Sequence, residues 1–387
     1  MRAPLLTLAL AGCSFSVIAP GTGADGGPDT PLAIDAPPGV DACVSFAAQL
    51  DSCALPASSD LTLSGTVVLD TDAGTLVDGT GAAIPATLVA VATSPGGVSV
   101  MVLVADDLTL GATTWLRATG SRPLALVARG TLRFDGNAFL DVGDGGAGAR
   151  TSCAPGAGAG ADDSGGAAGG GGGGFGAAGG KGGNGDADNG QSTGGAGGGF
   201  ATAAPLDLLG GCPGATGGRG QDPGGAGAAG GGAIYVVAGG QLELQTGSGI
   251  SAGGGGGGGG QRTNGNFGDA GGGGGGAGGM IVVEAPRIRS AGALIANGGG
   301  GGEGSGNSAA GTHGIRAQYD VPQALGGAGN SPTGTDGGNG GNSQTPTGAS
   351  VSGVQNGGGG GGGGGVGFVR VVSPDAELGT LVSPSPG

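Results

Sequence analysis

The sequence predicts an all-β protein: a parallel β-helix or solenoid-like stack of short strands with glycine-rich insertions. Three observations carry this. A three-strand phrase recurs five times in the same internal order. Its first two copies align with Ala105 and Ala128 in equivalent places, 23 residues apart. Long glycine runs leave the phrase after its third segment and return before the next first segment. A fixed period in the low twenties with short strands per unit is the pattern of a chain that stacks each unit on the last. An antiparallel β-sandwich built from the same strands is the alternative.

The N-terminus reads Met1-Arg2, then a short apolar stretch from Ala3 to Leu10, then Ala11-Gly12-Cys13. A positive start, a brief apolar region and small residues before a cut describe a secretory signal. The stretch is too short to span a bilayer as a helix. Leu10-Ala11-Gly12-Cys13 resembles the bacterial lipobox, which implies that residues 1–12 are a lipoprotein signal peptide and that Cys13 is lipidated. Ser14 follows the cysteine, and resemblance to enteric sorting rules then implies export to the outer membrane. Residues 13–42, with Pro20, Pro28, Pro31, Pro37 and Pro38 among glycine and aspartate, are expected to be a disordered tether.

Without Cys13 the cysteines form an even set: Cys43, Cys53, Cys153 and Cys212. Three pairings are possible, and in an exported chain disulfides are the default. The preferred pairs are Cys43 with Cys53 and Cys153 with Cys212. The first brackets residues 44–51, which suit one or two helical turns. The second closes a long glycine-rich loop whose unfolded entropy is large. There is no C-x-x-C element and the single histidine, His313, is remote, so no zinc site is expected.

Residues 43–143 read as an N-terminal β-rich domain holding the first units. Leu61-Thr62-Leu63, Thr66-Val67-Val68-Leu69 and residues 86–91 are irregular early turns or a capping hairpin. The regular phrase begins with Met101-Val102-Leu103-Val104-Ala105, Leu108-Thr109-Leu110 and Trp115-Leu116-Arg117-Ala118. It repeats at residues 124–142, 233–252, 280–297 and 368–383. Alternation in Leu132-Arg133-Phe134 points one side chain inward and the next outward. Residues 144–366 are the glycine-rich region with interspersed strands, and 367–387 hold the last strands and the C-terminal tail.

Glycine occupies 109 of 387 positions. It loses more conformational freedom on folding than any other residue. Such runs are either disordered loops or chains that use the missing Cβ to pack backbone on backbone. Residues 357–365 are nine unbroken glycines, unlike flexible linkers, which mix glycine with serine or charge. Packed polyproline-II-type strands, with amides free to bond sideways, are the favoured reading.

Formal net charge is −15, with one lysine and twelve arginines. No basic patch exists, so nucleic acid is not an expected partner. Residues 182–190 resemble the glycine- and aspartate-rich nonapeptide of calcium-binding β-rolls, which makes Asp186 and Asp188 the calcium candidates. The aspartate falls one position early and tandem copies are absent. Glycine-rich phosphate loops fail on context, because no G-K-[ST] exists. His313 lies in a glycine-rich loop and suits solvent better than a triad. Asp106 and Asp107 face opposite ways on a strand and make no dyad. No catalytic residue and no cofactor are assigned.

Residues 122–128 (Arg-Pro-Leu-Ala-Leu-Val-Ala), Gly210-Gly211-Cys212-Pro213-Gly214, and Ile250-Ser251-Ala252 or Ile295-Ala296-Asn297 leading into glycine are similar to uncharacterised glycine-rich predicted lipoproteins of myxobacteria and related bacteria. The resemblance covers roughly residues 40–373 and implies no activity. The expected function is a surface-exposed lipoprotein with a structural, adhesive or matrix-contact role and no catalysis. Its partners would be the membrane, through the lipid anchor, and an extracellular polysaccharide or envelope protein. The alternative is a polysaccharide-active β-helix enzyme, lyase or hydrolase. A cleft with two or more acidic groups and an arginine on one face of the stack would favour it.

Overall fold

Short segments rich in valine, leucine and isoleucine, each closed by glycine or aspartate turns, form every regular element of the chain. The computed structural model describes residues 45–93, 97–188, 190–263, 269–321, 323–329, 331–352 and 356–387. The expected signal peptide, the tether, Cys13 and Cys43 lie outside these. Among the described residues the protein is all-β with no helix.

The chain opens with β1 (Leu61–Leu63), β2 (Thr66–Asp70), β3 (Thr75–Asp78) and β4 (Thr87–Ala92). Five triplets follow. They are β5 (Ser99–Ala105), β6 (Leu108–Leu110) and β7 (Trp115–Thr119); β8 (Leu124–Ala128), β9 (Thr131–Phe134) and β10 (Phe139–Asp141); β11 (Ala233–Ala238), β12 (Gln241–Leu244) and β13 (Gly249–Ser251). The last two are β14 (Met280–Glu284), β15 (Arg287–Ser290) and β16 (Ala293–Ile295), then β17 (Phe368–Val372), β18 (Asp375–Glu377) and β19 (Val382–Ser383).

Each triplet gives one strand to each of three sheets, ordered β17-β14-β11-β8-β5-β4, β1-β6-β9-β12-β15-β18 and β19-β16-β13-β10-β7-β2-β3. Pairing between successive triplets is parallel and in register, with Ala105 opposite Ala128. The hairpin pairs β2–β3 and β4–β5 are antiparallel. The upstream segments are therefore both things the sequence suggested, since β1 and β2 pair parallel with β6 and β7.

Register stacks like on like. Leu103, Leu126, Val236, Val283 and Val371 form one row across five strands. The first four are fully buried or nearly so, in one core cluster with Leu108, Leu132, Leu242 and Ile288. Each such side chain contributes about 1.5–3 kcal/mol by leaving water. The sheet of β5, β8, β11 and β14 is buried on its other face too, where Val102, Val104, Val127, Tyr235 and Val282 pack with Leu50, Leu55, Phe175 and Leu208. Burial on both faces explains why these strands are continuous apolar runs.

That outer face also corrects one expectation. Residues 48–50 form a bend and residues 45–47 and 51 no regular element, so none of them is a helical turn. The Ala48 amide donates to the Tyr235 hydroxyl at 3.1 Å and to a Glu284 carboxylate oxygen at 3.0 Å. Tyr235 in turn donates to Glu284. Burial, then the Glu284 hydrogen bond and charge, push the Tyr235 phenol up, so it stays protonated as that donor. Contacts with the sheet override local helix preference.

The glycine-rich excursions run from the third sheet to the first, between β10 and β11, β13 and β14, and β16 and β17. Residues 270–279 are buried throughout. Gly271, Gly274 and Ala277 donate to the carbonyls of Gly218, Ala215 and Cys212; Gly272 and Gly275 donate to Gly359 and Gly362; Gly273 and Gly276 donate to Gly258 and Gly255. The carbonyls of the same seven residues accept from Gly225, Gly170, Gly302, Ala228, Gly173, Gly299 and Gly231 in order. Every amide and carbonyl from 271 to 277 is thus paired, and partners repeat every third residue among six neighbouring segments. An extended chain with three residues per turn and no internal hydrogen bonds directs its amides in this way.

Side chains are excluded at this spacing. A Cβ on Gly273 would fall on the Ala226 carbonyl, and one on Gly361 on the Gly273 carbonyl. Glycine's entropic cost, roughly 0.5–1 kcal/mol relative to alanine, is offset by a backbone hydrogen bond with a net contribution of about 0.5–1.5 kcal/mol. The disulfide Cys153–Cys212, with Cα atoms 5.9 Å apart, ties two excursion segments together as expected. Cys53 is also disulfide-bonded.

Gly273→Ala is expected to destabilise the protein by about 1–3 kcal/mol or more, the cost of overpacking a closed site. Gly136→Ala, whose Cβ would meet only the Thr246 carbonyl at 3.5 Å, should stay within about 0.5 kcal/mol of the parent. Urea unfolding of the two variants measures the contrast.

Candidate functional site

Parallel register builds the floor of an aromatic-lined cavity on the stack. Trp115 pairs with Phe139, and Phe139 with Gly249, so two aromatic rings and a bare backbone share a row on the third sheet. Two residues along, Arg117 pairs with Asp141, and Asp141 with Ser251. The shared register brings Arg117 Nη1 within 2.7 Å of Asp141 Oδ2.

The cover comes from the excursion after β16. Residues 311, 314 and 317 donate to the carbonyls of Gly260, Gly257 and Gly254, an antiparallel pairing. Glu303 fixes the start of this segment. It is fully buried, and its carboxylate accepts from the Thr312 amide and hydroxyl, both at 2.9 Å, and from the Ser331 amide at 2.8 Å. The segment then lays Arg316 and Tyr319 over β7 and β10. The Tyr319 ring lies 3.9 Å from the Phe139 ring and edge-on to Trp115 at 6.4 Å. Arg316 Nη1 lies 3.6 Å from Asp141 Oδ2.

Between floor and cover is a cavity of about 170 Å³, lined by Trp115, Phe139, Asp141, Asp144, Ser251, Arg316 and Tyr319 among others. Asp141 is buried, and both its oxygens are engaged: Oδ2 by the two arginines, Oδ1 by the Gly143 amide at 2.8 Å. Asp144 is exposed at the rim, in a left-handed conformation with φ 43°, and its carbonyl accepts from Arg117 at 3.0 Å. The arrangement meets the sequence criterion of two acids and an arginine on one face. Both oxygens of the buried acid are already committed to partners.

The calcium candidates separate. Asp188 is exposed and accepts from Asn356 at 3.2 Å. Asp186 is buried and faces Asp269, a second buried carboxylate, which carries an unpartnered Oδ1. Desolvation raises the Asp269 carboxyl above its ordinary range, and the Asp186 charge adds to it. Among the described residues no group of three or more His, Cys, Asp or Glu side chains is arranged to hold a metal ion. Arg129, just after β8, donates to the Leu55 and Pro56 carbonyls, Arg133 on β9 pairs with Asp135 and Arg289 on β15 with Asp375, all away from the cavity.

Sequence reasoning did not single out the cavity residues. Trp115 with Phe139 and Arg117 with Asp141 hold equivalent places in the third segments of the first two copies, at a spacing of 24 rather than the 23 of Ala105 and Ala128. Arg316 and Tyr319 carry no such signal. The chain matches no protein-family model, no curated protein and no solved structure.

Asp269 binds its proton more tightly folded than unfolded, so folding stability falls as pH rises from the unfolded carboxyl range through the raised folded value. Asp269→Asn removes that loss. It should raise Tm at pH 7, and the gain should vanish once pH drops below the ordinary carboxyl range, where Asp269 is neutral in both states. Thermal melts of both proteins across that range measure it.

Proposed function

We propose that this protein is an exported surface lipoprotein whose rigid body serves contact or adhesion at the cell envelope, without catalysis. The observation that carries the reading is the pairing of every backbone group from residue 271 to 277 with six neighbouring segments. A region so saturated has no spare polar groups and no room for moving side chains, which suits a spacer or display surface better than a working enzyme. The three-sheet stack, with each triplet parallel to the next and excursions leaving at one corner, favours a parallel β-helix over an antiparallel sandwich. The excursions favour polyglycine-II packing, on the period-three exchange of partners. The Cys153–Cys212 disulfide fits an oxidising compartment. Residues 10–13 supply the proposed anchor and residues 13–42 the tether, with the outer membrane as destination.

One observation favours a second reading, a polysaccharide lyase or hydrolase: Asp141, Asp144 and two arginines cluster at one cavity. The engagement of both Asp141 oxygens counts against it, because a general acid or base needs a lone pair or proton facing substrate.

Cells fed labelled palmitate should label the wild-type protein, and Cys13→Ala should lose both the label and membrane association. Unchanged fractionation of Cys13→Ala would remove the anchor. Purified protein should release no reducing ends or unsaturated products from a polysaccharide panel; turnover that disappears in Asp141→Asn would establish the enzyme reading instead.

A further inference from the structure

We propose that the cavity roofed by Tyr319 is a binding site for one ring of a neutral saccharide chain. The inference deepens the surface-contact reading by naming the class of partner. Four observations converge on it. The walls are aromatic: Trp115, Phe139 and Tyr319 lie within 6.4 Å of one another by ring centroid. Tyr319 and Phe139 close the faces they turn to each other at 3.9 Å, so a sugar ring would pack its apolar C–H face on the remaining aromatic surface of the cavity, with its hydroxyls at the edge.

The polar groups sit at that edge. Beside the committed Asp141 carboxylate, the residues Asp144, Ser251, Arg316 and Gln318 line the same cavity. They offer the mix of donors and acceptors that a ring of hydroxyls needs. The Arg316 contact to Asp141, at 3.6 Å, is longer than a hydrogen bond. Its guanidinium therefore retains donors for a ligand.

Charge selects a neutral ligand. Inside the site, two arginines balance Asp141 and the rim carboxylate Asp144, so no net positive charge remains for an anion. Outside it, the protein carries −15 and repels polyanions such as uronate chains. Size selects a single ring. About 170 Å³ is well below the roughly 300 Å³ at which drug-sized sites begin. Longer saccharides would continue across the rim over the third sheet.

The site contains its own reporter, because Trp115 is the only tryptophan in the chain. Trp115 fluorescence of the full mature protein is titrated with hexamers of β-glucose, β-xylose, β-mannose and N-acetylglucosamine, and with hexagalacturonate as the anionic control. The expected result is a saturable change with at least one neutral hexamer and none with hexagalacturonate. Tyr319→Ala should weaken binding about tenfold, the loss of one stacking partner, whereas Tyr319→Phe should bind within a small factor of wild type. Calorimetry on Arg316→Gln gives a second reading should Tyr319→Ala disturb its segment. The proposal is overturned by no saturation with any neutral hexamer at millimolar concentration, by preference for hexagalacturonate, or by affinity indifferent to both Tyr319→Ala and Arg316→Gln. Membrane association of the Cys13 variant is read independently of this titration, so failure here and failure of the surface reading are distinguishable.

Discussion

Each amide along residues 271–277 points at a different neighbour from the one before it. That rotation sets backbone against backbone, so a Cβ at any of Gly271 to Gly276 would meet a carbonyl, whereas Ala277 turns its methyl into the apolar cluster over the first sheet. The constraint is steric and electrostatic at once. A Cβ would separate the segments, and separation would leave buried amides without partners, at about 1–3 kcal/mol each. Glycine is used where a carbonyl faces the missing Cβ, and alanine enters where none does, as at exposed Ala226 and half-buried Ala229.

The strand stack and the glycine layer depend on each other. Triplets set the spacing at which excursions leave and return, because β10, β13 and β16 lie side by side in one sheet and β11, β14 and β17 in another. The layer in turn covers strand faces: Phe175, from an excursion, meets Phe368 at 5.0 Å beside the β14–β17 sheet edge. The cavity sits where the two parts meet. Its floor is fixed by strand register and its roof by how one excursion, held by Glu303, lies against residues 254–260. A site built this way inherits its geometry from two rigid supports rather than from a free loop.

Much of the strand frame was legible because its code is local. Apolar alternation, turn residues and a repeating order placed all five triplets, and their equivalence places Ala105 against Ala128. The Cys153–Cys212 pairing was legible for a similar reason, since both cysteines border glycine tracts that need closing. The weakest signal is in the last triplet, where exposed Asp375–Glu377 lack the apolar alternation of the other strands. Residues 45–51 were misread because Ala48 is held by Tyr235 and Glu284, which are 187 and 236 residues away. The roof of the cavity was not legible at all. Which glycine segment neighbours which is decided by backbone hydrogen bonds, and a run of identical residues carries no register of its own. Arg316 and Tyr319 therefore look like ordinary loop residues until the packing is known.

The account rests on the glycine segments being a packed interior, and amide hydrogen exchange tests that most directly. Exchange at residues 271–277 should be slow, with protection approaching that of the fully buried strands β8 and β11, and should be lost only in global unfolding. Exchange of these amides within the dead time of the measurement, while β8 and β11 stay protected, would show loops in their place and contradict the account.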